Sequence, residues 1–248
     1  MLLAVDIGNS RTKIGVFDED KLISKTSIPT SRELTSAALG KILADKITEP
    51  IAAAIVSSVV LEVDDAFREY IFTQHRVAPI LVSHELNIGL KINYRPPEDV
   101  GADRLVNAFA AADKYGVPCI VCSFGTATTI DVVNEKRELL GGLIAPGMNT
   151  MIKALNLCTS KLPEVKIKKP DDIIANSTVA SIQSGVVNGH IAMIERLIKL
   201  IIGEIGVRPR VVTTGGFAEL IASNTDAVDI VDDDLTLEGL RRLYERNS

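Results

Sequence analysis

The chain has 248 residues, enough for two modest domains or one large α/β domain with a buried core. A hydrophobic fraction of 46% and a charged fraction of 24% are ordinary for a globular protein, and a formal charge of −5 argues against a general nucleic-acid binder. No run approaches the roughly 18 unbroken apolar residues of a membrane helix. The opening Met1-Leu2-Leu3-Ala4-Val5-Asp6 has no basic leader and reads as a strand, while three cysteines, too few for a disulfide framework, make the reducing cytoplasm the expected compartment.

In chain order, Leu2–Phe17 reads as a buried strand, a turn over Asp6-Ile7-Gly8-Asn9-Ser10-Arg11-Thr12, and a returning strand from Lys13. A polar turn at Asp18–Lys21 and a further apolar stretch follow. The spacing then predicts a helix over Ser31–Leu43, a strand over Ile51–Val56, a helix over Val63–Thr73 and a strand over Ala78–Val82. Asp99–Tyr115 is an amphipathic helix stopped by Gly116. Gly116 and Pro118 interrupt the pattern and place a domain boundary, giving domains 1–116 and 117–248. In the second half, a long helix begins near Asn176 or Ser177 and runs to about Ile205. A strand at Arg210–Thr213, a helix opened by Gly215-Gly216 and a last helix over Leu235–Arg246 complete the pattern. Strands alternating with helices indicate an α/β fold.

The second domain opens as the first does. Cys119–Val133 reads as apolar strand, Ser123-Phe124-Gly125-Thr126-Ala127-Thr128-Thr129, and a returning strand. Gly8 and Gly125 align 117 residues apart, which is duplication at domain scale and not a short solenoid repeat. Cys119 and Cys122 have the C-x-x-C spacing of redox and zinc sites. They lie on one predicted strand, where residues three apart point to opposite faces, so they read as buried cysteines.

A turn of the type Asp-x-Gly-Asn-Ser exposes backbone N–H groups, because Gly8 bends with no Cβ in the way. Such concavities bind anions without a basic surface. Asn9, Ser10 and Thr12 add donors, Lys13 adds a positive charge, and Asp6 is suited to hold Mg²⁺ beside a phosphate. Either glycine turn taken alone reads as a plain hairpin. The order hairpin, hairpin, then the strand-helix turn Thr213-Thr214-Gly215-Gly216 points to a nucleotide. Neither a Walker A sequence nor a dinucleotide fingerprint occurs. Asp103-Arg104 reads by itself as a charge pair in the first turn of a helix.

These residues resemble the acetate and sugar kinase, Hsp70 and actin superfamily. Within it, the chain is similar to the type III pantothenate kinases over essentially its whole length. The residues that carry the likeness are Asp6–Lys13, Tyr94 with Pro97, Gly101-Ala102-Asp103-Arg104, Phe124–Thr129, Gly141-Gly142 with Pro146-Gly147, Thr178 with Ser181–Gly185, and Thr214-Gly215-Gly216. The Gly-Ala-Asp-Arg run is the most specific. The resemblance implies two duplicated ribonuclease H-like domains with an interdomain cleft, the actin-like ATPase fold. It also implies ATP-dependent phosphorylation of pantothenate to 4'-phosphopantothenate, the first step of coenzyme A synthesis, by a homodimer.

Carried over residue by residue, the resemblance gives the ATP phosphates to Asp6, Ile7, Gly8, Asn9, Ser10, Arg11, Thr12 and Lys13, with Thr126 from the second domain. It gives pantothenate to Tyr94, Gly101, Ala102, Asp103, Arg104 and Thr178, with Asp103 as general base. It implies Mg²⁺ and a monovalent cation, K⁺ or NH₄⁺. The family pattern has an aspartate for that cation where this chain has Ser123, so no residue is assigned as its ligand. A non-catalytic or regulatory paralogue on the same scaffold is the alternative that Ser123 favours. Ser181, Gly185 and Gly189 form a small-residue stripe on the long helix, suited to a dimer interface or to packing within the domain. Ile191, Ile194, Ile198 and Ile201 form an apolar stripe expected to face the core.

Overall fold

The computed structural model describes all residues, Met1–Ser248. The first elements are β1 (Leu2–Ile7), β2 (Arg11–Asp18), β3 (Lys21–Pro29), α1 (Ser36–Leu43), β4 (Ala53–Ser58), α2 (Asp64–His75), β5 (Ile80–Leu81), β6 (Lys91–Ile92) and α3 (Ala102–Tyr115). They are followed by β7 (Cys119–Phe124), β8 (Ala127–Val133), β9 (Glu138–Pro146), α4 (Met148–Cys158), α5 (Thr178–Ile205), β10 (Arg210–Thr214), α6 (Ala218–Ala222), β11 (Ile230–Val231) and α7 (Leu235–Asn247). No helix is long and apolar enough to cross a membrane.

Two compact units form. One comprises Met1–Val117, Val133–Gly141 and Asp234–Ser248; the other comprises Pro118–Val132 and Gly142–Asp233. The five-stranded sheet has the order β3-β2-β1-β4-β5, and the six-stranded sheet has the order β6-β9-β8-β7-β10-β11, with β6 added at its edge. Each strand of the first thus has its counterpart, in the same place, in the second. β1 pairs antiparallel with β2 and parallel with β4, while β7 pairs parallel with β10. The expected duplication therefore extends from two turns to two whole sheets.

All six residues of β1 are buried, as a central strand covered on both faces requires. On one face, Leu3, Val5 and Ile7 pack with Leu39 and Leu43 of α1 and Phe67 and Ile71 of α2. On the other, α7 packs against β1, β2 and β4. In the second unit, Ile120, Cys122 and Phe124 pack with Ile191, Ile194 and Ile198 of α5, so that apolar stripe does face the core. Cys119 and Cys122 are both buried.

Helix starts differ from expectation where polar residues intervene. α1 begins at Ser36 and not Ser31, because the Thr35 side chain accepts from the Ala38 N–H at 3.2 Å and caps it there. α3 begins at Ala102 and not Asp99, since Pro97–Asp99 form a separate 3₁₀ turn and Gly101 is the N-cap. α5 begins at Thr178 with Ser177 as its cap. Gly116, at φ +86°, ends α3 in a conformation that favours glycine.

The C-terminal helix belongs to the first unit, although a cut at residue 116 would leave it with the second half. Leu235, Leu237, Leu240 and Leu243 give it a buried face, and it lies against α3. The Thr236 hydroxyl donates to Asn107 Oδ1 at 2.8 Å between them. Gly239 permits the close approach: a Cβ there would lie 2.8 Å from Ala110 Cβ and 2.9 Å from Val106 Cγ1. Gly239→Ala should therefore destabilise the protein by about 1–3 kcal/mol despite its better helix propensity. The check is a lowered urea midpoint at unchanged m value.

Candidate active site

The first turn closes with the Gly8 N–H donating to the Arg11 carbonyl at 3.1 Å. A Cβ on Gly8 would stand 3.1 Å from that same oxygen, so the tight turn demands a residue without one. Asn9 and Ser10 are exposed at its tip, while Ile7 is core and offers only backbone. Two of the side chains in this run are occupied within the sheet. The Thr12 hydroxyl is buried against the Thr30 hydroxyl at 2.9 Å, and Arg11 Nε donates to Ser27 Oγ at 2.8 Å. Lys13 stands opposite Asp6 in the β1–β2 register.

Asp103 enters from the first turn of α3. Its Oδ1 accepts from the Arg104 N–H at 2.8 Å, and a Cβ on Gly101 would come within 2.8 Å of that oxygen. The Gly-Ala-Asp-Arg order thus has a steric basis: glycine clears the space that the aspartate occupies. Ala102 is buried at the start of the helix. Arg104 is buried as well, with its guanidinium carbon 5.2 Å from the centroid of the Tyr94 ring.

Asp6 and Asp103 share one electrostatic environment. Burial, then the Asp103 charge, pushes the Asp6 carboxyl up to about 6, with the Lys13 charge pulling it down. Burial also raises Asp103, against the Arg104 backbone N–H, the Arg104 charge and Lys13. Asp6 Oδ1 is buried with no hydrogen-bond partner. A carboxylate held this way is suited to a cation or a proton donor supplied from outside the chain. The first unit therefore brings Asp6, Lys13, Tyr94, Gly101, Asp103 and Arg104 into one locality.

The second unit carries the other predicted residues. Its turn closes with the Gly125 N–H donating to the Ala127 carbonyl at 3.0 Å. The Thr126 carbonyl accepts from the Gly147 N–H at 3.0 Å and from the Thr150 hydroxyl at 2.6 Å, anchoring the turn to the start of α4. Thr126 itself is exposed, as is Thr178 on the first turn of α5. The Thr128 hydroxyl is buried against His190 Nε2 at 2.9 Å. Gly215, at φ +97°, brings the third glycine turn so close that a Cβ would lie 2.6 Å from the Phe124 carbonyl oxygen.

The family model for type III pantothenate kinase matches residues 2–200. A type III pantothenate kinase of Geobacillus kaustophilus is 38% identical, covering 100% of this chain and 98% of its own length. One from Citrifermentans bemidjiense is 39% identical, with 100% of both chains covered. The chain belongs to the type III pantothenate kinase family. More distant solved structures share the fold. A Campylobacter jejuni protein described as a Baf family transcriptional activator is 20% identical with a TM-score of 0.60, covering 99% of this chain and 98% of that one. The polyphosphate/ATP-glucomannokinase of an Arthrobacter strain is 12% identical with a TM-score of 0.53 and the same coverage. The fold is α/β with two duplicated actin-like ATPase domains.

In this member of the type III pantothenate kinase family, the sequence alone does not single out Ser57. It faces Asp6 across the β1–β4 register, and its hydroxyl is buried without a partner. The signal was present as a Ser-Ser end to an apolar strand, matching the Thr-Thr end of Arg210–Thr214. The raised Asp6 pKa has a consequence for stability. An unfolded aspartate releases its proton near pH 4, whereas folded Asp6 keeps it to about 6. Stability from that proton is full below about pH 4 and is lost as pH rises through 6. Asp6→Asn, neutral throughout, should exceed the parent by about 3 kcal/mol above pH 7 and match it near pH 4. Urea unfolding of nucleotide-free protein at pH 4 and 8 measures the difference.

Proposed function

We propose that this chain transfers the γ-phosphoryl group of ATP to the primary hydroxyl of pantothenate, forming 4'-phosphopantothenate at the start of coenzyme A synthesis. The observation that carries this reading is the gathering of Asp6, Lys13, Asp103 and Arg104 around one glycine turn, in a chain of this family. The glycine turn offers its backbone N–H groups to the phosphates, with Asn9, Ser10 and Lys13 beside them. Ile7, Arg11 and Thr12 serve through backbone and sheet position, since their side chains are engaged elsewhere. Thr126 is proposed as a further phosphate contact, and Tyr94, Gly101, Ala102, Arg104 and Thr178 as pantothenate contacts.

Asp103 accepts the proton of the attacking hydroxyl. Burial raises its pKa, which strengthens it as a base. Phosphoryl transfer asks little else of the protein than positioning and charge. Arg104, packed over Tyr94, holds the substrate carboxylate. The unpartnered Asp6 Oδ1 fits Mg²⁺, which commonly takes one or two carboxylates with phosphate oxygens and water. Bound there with ATP, it would supply charge neutralisation.

The two ribonuclease H-like halves are proposed to divide in sequence at 116/117, with the C-terminal helix folding back onto the first. A cytoplasmic homodimer is also proposed. Ser181, Gly185 and Gly189 lie exposed along α5, next to the exposed Ile173 and Ile174. The regulatory alternative has little to support it, because a fold shared at 20% identity carries no activity with it.

Asp103→Asn should lower turnover by about 10²–10⁴-fold while ATP affinity changes by less than about twofold. Coupled ADP release and isothermal titration give the two numbers. A normal rate would remove Asp103 as the base, and no pantothenate-dependent ADP release from the parent in any salt would sink the kinase assignment.

A further inference from the structure

Two facing pairs occupy equivalent places in the duplicated sheets. In the first unit Asp6 of β1 stands beside Ser57 of β4, and in the second Ser123 of β7 stands beside Thr214 of β10. Parallel neighbours in register present their side chains on the same face of the sheet. Ser57 and Thr214 are 0% and 1% exposed, and both hydroxyl oxygens lack a hydrogen-bond partner, as Asp6 Oδ1 does. The first pair combines a carboxylate with a hydroxyl. The second combines two hydroxyls and carries no charge.

Thr214 is held where it is. The next residue, Gly215, presses against the backbone of Phe124, so the ends of β7 and β10 are fixed side by side. The acid nearest along the hairpin, Asp131, is buried below Gly142, where a Cβ would lie 2.7 Å from its Oδ1, and it has interactions of its own. A cation brought to the Ser123–Thr214 pair would lose water for two neutral oxygens and gain no countercharge, which is unfavourable. The monovalent cation that the family resemblance implies therefore does not fit here.

We infer that this chain works without a monovalent cation at its second turn, and that Thr214 is the donor that would hold a carboxylate at position 123. The unpartnered Thr214 hydroxyl and its register with Ser123 carry this reading. It rests on the kinase assignment only for its catalytic readout.

The test compares KCl with choline chloride at matched ionic strength. Turnover of the parent with ATP, Mg²⁺ and pantothenate should agree within about twofold between the salts, and stimulation of about tenfold or more by KCl overturns the inference. Thermal unfolding with MgATP gives an independent readout, because a cation that binds only folded protein raises the midpoint. The parent should show no K⁺-specific rise. Ser123→Asp should gain one, and the double variant Ser123→Asp/Thr214→Val should lose it. A K⁺-specific rise in the parent, or none in a Ser123→Asp protein with native circular dichroism, overturns the inference. If Ser123→Asp does not fold, the two parent measurements decide. Absence of turnover in both salts counts against the kinase assignment, while the midpoints still decide the cation question.

Discussion

A carboxylate set at the end of a central strand, with one oxygen sealed from water and given no partner, is the condition on which the first unit is organised. Burial makes Asp6 costly to ionise, and the neighbouring Asp103 adds to that cost. The charge of Lys13 offsets part of it. The arrangement persists because the surrounding sheet leaves Asp6 no alternative: β2 and β4 flank it, and apolar residues pack both faces of its strand. Such a group is stable in the charged form only when something arrives to meet it. A buried group with so perturbed a pKa marks a candidate functional site.

The same sheet is built twice, and the ends of its middle strands have diverged. In open α/β sheets, ligands gather beyond the carboxyl ends of the strands. Here the two equivalent ends differ by one functional group, a carboxylate at Asp6 and a hydroxyl at Ser123. The backbone devices have been kept in both: a glycine closes each hairpin turn, and each inner strand is matched in register by a hydroxyl residue on its parallel neighbour. Backbone and charge thus differ independently between the two units.

Much of this was legible in the chain itself. The alternation of strands and helices, the repeated glycine turns and the Asp103-Arg104 pair are local signals, and their reading needs only neighbours in sequence. Helical spacing places the starts of α1 and α3 too early, at Ser31 and Asp99, because it says little about which residue caps. What sequence could not reveal was long-range. The pairing of Asp6 with Ser57, and of Ser123 with Thr214, depends on strand register set by packing. The engagement of Arg11 with Ser27 and of Thr12 with Thr30 depends on β3, which appeared only as an apolar stretch. The attachment of the last helix to α3 depends on surfaces far apart in the chain.

That last attachment bears on how the molecule is made. The helix carrying Asp103 is covered by one that a ribosome synthesises only after the whole second unit has emerged. While translation proceeds, α3 lacks the leucine face of α7, and Asn107 lacks its partner Thr236. The helix that carries Asp103 is then fully packed only once the chain is complete.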